Sequence, residues 1–115
     1  LETIGEPILV SEALLIRRSG APDSADADVF IRRLQGVLTA RTYVLVDYDI
    51  PLDRVEEACA LTPGLESPTV SPLREQGWAA VRAVVPKNQA HRIMDLVADI
   101  GGRGILVTAS SACRL

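Results

Sequence analysis

Leu61-Thr62-Pro63-Gly64-Leu65-Glu66-Ser67-Pro68-Thr69-Val70-Ser71-Pro72-Leu73 separates a helical pattern from an extended one. Pro63 cannot continue a helix and Gly64 suits a left-handed cap, so the helix before them stops here. Pro68 and Pro72 clash with a helical residue in front of them, which pushes Ser67 and Ser71 into extended geometry. The stretch reads as a stiff extended segment offering Ser67, Thr69 and Ser71 on one side. Thr69 is the best placed of these to meet a small polar ligand. By spacing alone, the same residues also make a plain proline-rich connection from a helix to an edge strand.

Outward toward the N-terminus, Tyr43-Val44-Leu45-Val46-Asp47-Tyr48 is rich in β-branched and aromatic residues and reads as a strand. Asp49-Ile50-Pro51 closes it and opens a helix, with Pro51 near the first helical position, where its missing N–H costs nothing. Leu52, Val55, Ala58 and Cys59 form the buried stripe of that helix, and Asp53, Arg54, Glu56 and Glu57 face water. Outward toward the C-terminus, a short strand is expected around Thr69 to Ser71, then a turn at Arg74-Glu75-Gln76-Gly77 with Gly77 free to take positive φ. Trp78 to Val85 is the longest strand candidate, stopped by Pro86. Asn88 is placed to cap the next helix, whose inner face is Ala90, Ile93, Met94, Val97 and Ile100. Gly101-Gly102 ends that helix, and Gly104 to Thr108 forms the last strand.

Residues 43–108 therefore read β-α-β-β-α-β, the α+β, ferredoxin-like arrangement with helices on one face of an antiparallel sheet. Leu45, Val81, Ala83, Val85 and Ile105 suggest apolar residues on more than one sheet face, so self-association through the sheet is expected. Ahead of this unit, Pro7-Ile8-Leu9-Val10 and Ala13-Leu14-Leu15-Ile16 make residues 1–18 two short strands of a sheet whose other members lie elsewhere. Residues 19–28 are small, polar and acidic, a linker by composition. A connecting helix is expected over 29–41, capped by Asp26 or Asp28, with Phe30, Leu34, Val37 and Leu38 on one face. Residues 42–115 complete the ferredoxin-like domain.

The 115 residues are enough for one core plus an appendage. A hydrophobic fraction of 48% argues for a packed chain rather than disorder, and 3% aromatics leave the core to Val, Leu, Ile and Ala. The net charge of −3, without a basic patch interleaved with aromatics, argues against nucleic acid as a partner. No apolar run approaches the ~20 residues that span a bilayer, and no signal-peptide pattern is present, so no membrane partner and a cytoplasmic location are expected. Cys59 and Cys113 are isolated thiols, and with one histidine they cannot supply the four ligands of a structural zinc site.

No catalytic constellation emerges. His91 lies just off the apolar stripe of its helix and reads as solvated or edge-packed rather than as a base. Gly101-Gly102-Arg103-Gly104 follows a helix and precedes a strand, the reverse of a phosphate cradle, which must open a helix. Glu56 and Glu57 are adjacent on a helix, so their carboxylates diverge. Asp49, where the strand meets the helix, could cap the helix or hold a ligand's ammonium or imidazolium through charge-assisted hydrogen bonds.

Tyr48-Asp49-Ile50-Pro51, the Leu61–Leu73 stretch, Gly77-Trp78-Ala79-Ala80-Val81, Ile93-Met94-Asp95, Gly101 and Gly104-Ile105-Leu106-Val107 together resemble the C-terminal regulatory domain of long-form ATP phosphoribosyltransferases. The resemblance covers roughly residues 27–115, and residues 1–18 are similar to the end of that enzyme's catalytic half. It implies a parent enzyme that joins ATP to phosphoribosyl pyrophosphate with magnesium, in the first step of histidine synthesis, and is feedback-inhibited by histidine. It also implies a hexamer in which regulatory domains associate in threes. Carried over residue by residue, the histidine site falls on Asp49, Leu65, Ser67 and Thr69, with Val84 and Gly104 from neighbouring strands. Asp49 would hold the charged end of histidine, Thr69 would hydrogen-bond it, and Leu65 and Val84 would wall the ring. The family's phosphoribosyl pyrophosphate loop, an acidic pair before a Gly/Thr-rich turn, is not in these residues, so they should be inactive alone and need no cofactor. The 19–28 connection is the expected hinge. The rival readings are a structural oligomerisation module and a free-standing small-molecule sensor of the same fold.

Overall fold

The computed structural model describes residues 4–113; the parts of the expected segments 1–18 and 42–115 on residues 1–3 and 114–115 lie outside them. Helix α1 (Ala25–Thr42) leads into strand β1 (Tyr43–Pro51), and a 3-10 turn (Leu52–Arg54) leads into α2 (Val55–Leu61). Strands β2 (Thr69–Pro72) and β3 (Trp78–Pro86) follow, then a second 3-10 turn (Lys87–Gln89), α3 (Ala90–Asp99) and β4 (Arg103–Ala109). The four strands form one sheet in the order β2-β3-β1-β4, with every pairing antiparallel. This is the α+β, ferredoxin-like domain expected from the β-α-β-β-α-β pattern.

The core follows from alternation. Val44, Val46, Tyr48 and Ile50 of β1 are buried, as are Ala79, Val81, Ala83 and Val85 of β3. Side chains two apart share a face, so one side of the sheet is apolar and the other is not. Ala58 of α2 and Ala90, Ile93 and Val97 of α3 close over the apolar side. Val81, Ala83 and Val85 thus share the helix-covered face, and Ile105 packs against the same cluster. Of the residues expected to make the second face apolar, Leu45 alone points there, joined by Leu106 and Val84 through their pairings with Asp47 and Leu45.

The core also holds a polar knot. The Tyr48 hydroxyl lies 2.6 Å from Thr62 Oγ1 and 3.2 Å from the Ala58 carbonyl, and Thr62 donates to that same carbonyl at 3.0 Å. Thr62 has no solvent exposure, yet all of these groups are satisfied. The end of α2 is thereby tied to the middle of β1, which sets where the Pro63–Pro68 segment departs.

Several local expectations change. Helix α1 begins at Ala25, capped by Ser24, whose hydroxyl accepts the Ala27 N–H at 3.4 Å; Asp26 and Asp28 lie inside the first turn instead. The linker is correspondingly shorter than 19–28. No side-chain cap is made at either 3-10 turn, so Asn88 does not cap α3. Leu52 is exposed because the 3-10 turn rotates it off the α2 stripe that keeps Ala58 buried.

Residues 4–18 form no strand, and Ile8, Leu9, Leu14 and Ile16 are exposed. A strand needs a neighbour to pair its backbone groups, and no described strand borders this segment. The α1 stripe is likewise uncovered, with Phe30 and Leu38 more than half exposed and only Ala40 of the helix buried. The radius of gyration of 19.7 Å, against ~13 Å for a compact chain of about 100 residues, records this extension. The returning tail touches α1 where it carries no side chain: Cys113 N–H donates to the Gly36 carbonyl at 2.9 Å, and a β-carbon at Gly36 would meet the Cys113 carbonyl oxygen at 3.0 Å.

Candidate functional site

The face of the sheet turned away from the helices carries the candidate site. In β1 it presents Leu45, Asp47 and Asp49; opposite them on β3 stand Val84, Arg82 and Ala80. Arg82 is paired in turn with Thr69, and Ala80 with Ser71, on the edge strand β2. Strand β4 adds Leu106 beside Asp47. A continuous polar row therefore crosses three strands, Thr69–Arg82–Asp47, with Asp49 one step along the same face.

Two hollows lie on this face. One, of about 520 Å³, is lined by Asp47, Asp49, Thr69, Ser71, Arg82 and Gly104, among others. The second, of about 350 Å³, takes in Leu65, Ser67, Thr69, Val84 and Cys113. Thr69 and Arg82 border both. Of the six residues expected at the site, Asp49, Thr69 and Gly104 thus share one hollow, and Leu65, Ser67 and Val84 share its neighbour with Thr69. The Leu61–Leu73 stretch achieves this by running extended past the sheet edge. Gly64 turns it at φ +71, with Ser67 backbone atoms packed close behind.

Asp49 differs from its expected setting. It lies within β1, two residues before the strand ends, paired with Ala80 on one side and Arg103 on the other. It caps no helix, because β1 runs on through Pro51 and the 3-10 turn Leu52–Arg54 delays α2 until Val55. Among the described residues its carboxylate takes part in no ion pair or side-chain hydrogen bond. Asp47, two residues earlier on the same face, is engaged: Arg82 Nε donates to its Oδ1 at 2.6 Å. Of the two neighbouring carboxylates, Asp49 is the free one. The register between β1 and β4 shifts between Asp47 and Asp49, and Gly104, next to the Asp49 partner Arg103, lies close enough that a β-carbon on it would stand 3.6 Å from Asp49 Oδ2.

The Asp47–Arg82 pair was legible only as an arginine placed mid-strand, in step with Val84 rather than with Val81 and Val85. Beyond the site, Arg103 lies over the Trp78 ring at 3.6 Å from its centroid and pairs with Glu75. That cation–π contact holds the Gly101–Gly104 corner against β3. His91 is exposed on α3 and faces neither hollow. The described residues bring together no group of three or more His, Cys, Asp or Glu side chains that could hold a metal.

Residues 40–111 match the family described as "HisG, C-terminal domain". The chain belongs to that family. This HisG C-terminal domain is 59% identical over 120 residues to an ATP phosphoribosyltransferase of Paenarthrobacter aurescens, an alignment that covers 100% of this chain and 42% of the relative. It is 60% identical over 119 residues to the ATP phosphoribosyltransferase of Streptomyces coelicolor, with 100% and 42% covered. The enzyme of Bifidobacterium longum is 53% identical over 117 residues, with 100% and 41% covered. The chain spans about two fifths of the length of these curated relatives. No described helix of the HisG C-terminal domain is long and apolar enough to cross a membrane.

Proposed function

We propose that this chain is the regulatory part of an ATP phosphoribosyltransferase, an enzyme of histidine biosynthesis, and that it binds histidine on the open face of its sheet. The observation that carries this reading is that Asp49 and Thr69, brought from β1 and from the proline-stiffened segment, border one hollow. In it the unpaired Asp49 carboxylate holds the ammonium or imidazolium of the ligand by charge-assisted hydrogen bonds. The Thr69 hydroxyl supplies a second hydrogen bond, with Ser67 beside it. Leu65 and Val84 flank the ring, and Gly104 leaves room beside Asp49.

Binding regulates only if histidine favours one arrangement of the larger protein over another. A coupling of ~1–3 kcal/mol between effector and substrate sites is enough for useful feedback. The segment ahead of α1 is the hinge through which such a change passes. The catalytic step, its magnesium and its phosphoribosyl pyrophosphate belong to the remainder of the polypeptide. The open face also suits self-association, in threes and as a hexamer of the parent enzyme, since it carries Leu106 at 64% exposure beside the two hollows. Those apolar residues are also what a purely structural oligomerisation module would display.

Titration calorimetry with L-histidine separates the readings. The unmodified chain should bind, Asp49→Ala should lose ~10-fold or more in affinity, and Thr69→Val should lose less, as fits a charged against a neutral hydrogen bond. Equal binding by both variants would mean that the site lies elsewhere. No heat from a self-associated unmodified chain would leave the structural module as the function.

A further inference from the structure

An amino acid carries a carboxylate as well as a cationic group, and the six residues assigned above offer that carboxylate no positive charge. Arg82 is the one Lys or Arg among the residues lining either hollow, and it borders both. It stands between Thr69 and Asp47 on the open face, each its direct cross-strand partner. Its Nε–H is committed to Asp47 at 2.6 Å. A guanidinium presents its donors in a fixed planar fork, so this bond aims the two terminal nitrogens while leaving their N–H groups available. Asp49 sits one step along the face, opposite Ala80, which is two residues from Arg82. Diagonal neighbours of that kind lie roughly 7–8 Å apart, a span that one amino acid bridges.

We propose that Arg82 receives the carboxylate of the amino-acid effector, and so makes the site select an amino acid over the corresponding amine. This rests on the effector reading above. The Asp47–Arg82 pair then has two consequences. It orients the guanidinium, and it neutralises Asp47 so that Asp49 is the one carboxylate lining the first hollow left to take the ligand's cationic end. The ligand lies across the Arg82–Asp49 diagonal with its two charges matched at opposite ends. Because Arg82 is largely exposed, the bond to the ligand is formed at the mouth of the hollow and not in the core.

The test compares L-histidine with histamine, which keeps the imidazole and amine but has no carboxylate, on the unmodified chain and on Arg82→Met, Arg82→Gln and Arg82→Lys. A charge-assisted hydrogen bond supports an expected loss of ~10-fold or more in histidine affinity for Arg82→Met, with histamine changed less than ~2-fold. Arg82→Lys keeps the charge without the fork and should recover part of the preference for histidine. If Arg82→Met loses its sheet signal by circular dichroism, Arg82→Gln makes the same comparison. Variants that weaken both ligands alike, or neither, overturn the assignment of Arg82 while leaving the effector reading standing. An unmodified chain that binds neither ligand overturns both.

Discussion

Replacing Gly104 with alanine should destabilise the domain by about 1–2 kcal/mol, and the cause should be backbone handedness rather than crowding. Gly104 sits at φ +61, and a β-carbon built there meets only the Asp49 carboxylate, at 3.6 Å from Oδ2, an ordinary contact distance. Sterics beyond the residue itself therefore add little, and what remains is the cost of a left-handed conformation for an L-residue, about 1–2 kcal/mol. For a domain of 60–100 residues each kcal/mol corresponds to roughly 4–8 °C, so the melting temperature should fall by roughly 4–16 °C. Asparagine enters the left-handed region more readily, so Gly104→Asn should cost less than Gly104→Ala. Gly102, two residues earlier, provides the contrast. A β-carbon there would stand 2.7 Å from the Val97 carbonyl oxygen and would also overlap the Val97 side chain. That carbonyl already accepts the Gly102 N–H at 2.8 Å, so the backbone cannot yield without losing the bond. Gly102→Ala should cost about 1–3 kcal/mol through overpacking, and trimming Val97 to alanine in the same chain should relieve only the side-chain share. Urea unfolding of the three single variants and the double variant measures all of this. The reasoning is refuted if Gly104→Asn is as costly as Gly104→Ala, or if Gly104→Ala proves neutral.

Thr62→Val should cost ~1–2 kcal/mol in unfolding free energy, because it strips the Tyr48 hydroxyl of its 2.6 Å partner inside the core. Tyr48→Phe should cost less, since Thr62 keeps its bond to the Ala58 carbonyl. Burial raises the Tyr48 phenol above its ordinary value, against the opposing effect of the Thr62 hydrogen bond. The unfolded chain therefore loses this proton first as pH rises. The associated stability is intact below about pH 10, is lost above it, and that slope should be absent from Tyr48→Phe. Burial, helped by the Glu56 charge, also raises the Cys59 thiol, so its alkylation by iodoacetamide should be slower than that of a free cysteine at pH 8. Leu106→Glu, at an exposed position on the open face, should lower any self-association seen by light scattering while leaving the melting temperature within a few degrees.

The sheet was legible because its burial has a strict period of two. Val44, Val46, Tyr48 and Ile50 announce the inner face of β1, and prolines and glycines mark where each element must stop. The chain's first half was less legible for a physical reason. The apolar runs at 7–16 and the α1 stripe obey the same patterns as buried elements, but a pattern records only that a face is apolar, not what covers it. Asp49 was misread for a different reason: Pro51 is well suited both to opening a helix and to ending a strand, and nothing local distinguishes the two. The 3-10 turn that follows decides it, and leaves Asp49 inside the ladder.

That displacement of Asp49 from strand end to strand interior strengthens the candidate site. A capping carboxylate would spend its oxygens on backbone N–H groups; a carboxylate in the ladder, facing away from the core, keeps them. Alternation then fixes its company, because every residue sharing its face on β3 and β2 is determined by register, and a slip of one residue would send Arg82 and Thr69 into the core. The one departure from regular register falls between Asp47 and Asp49 on the β4 side, where the pairing shifts from Leu106 to Arg103. Continued without the shift, the register that pairs Asp47 with Leu106 would set Gly104 directly across from Asp49; the shift sets Arg103 there instead. Gly104 still lies beside the carboxylate with no side chain to cover it, and the Arg103 guanidinium is engaged by Trp78 and Glu75. Alternation supplies the polar row, and the missing side chain at Gly104 keeps its acidic end open.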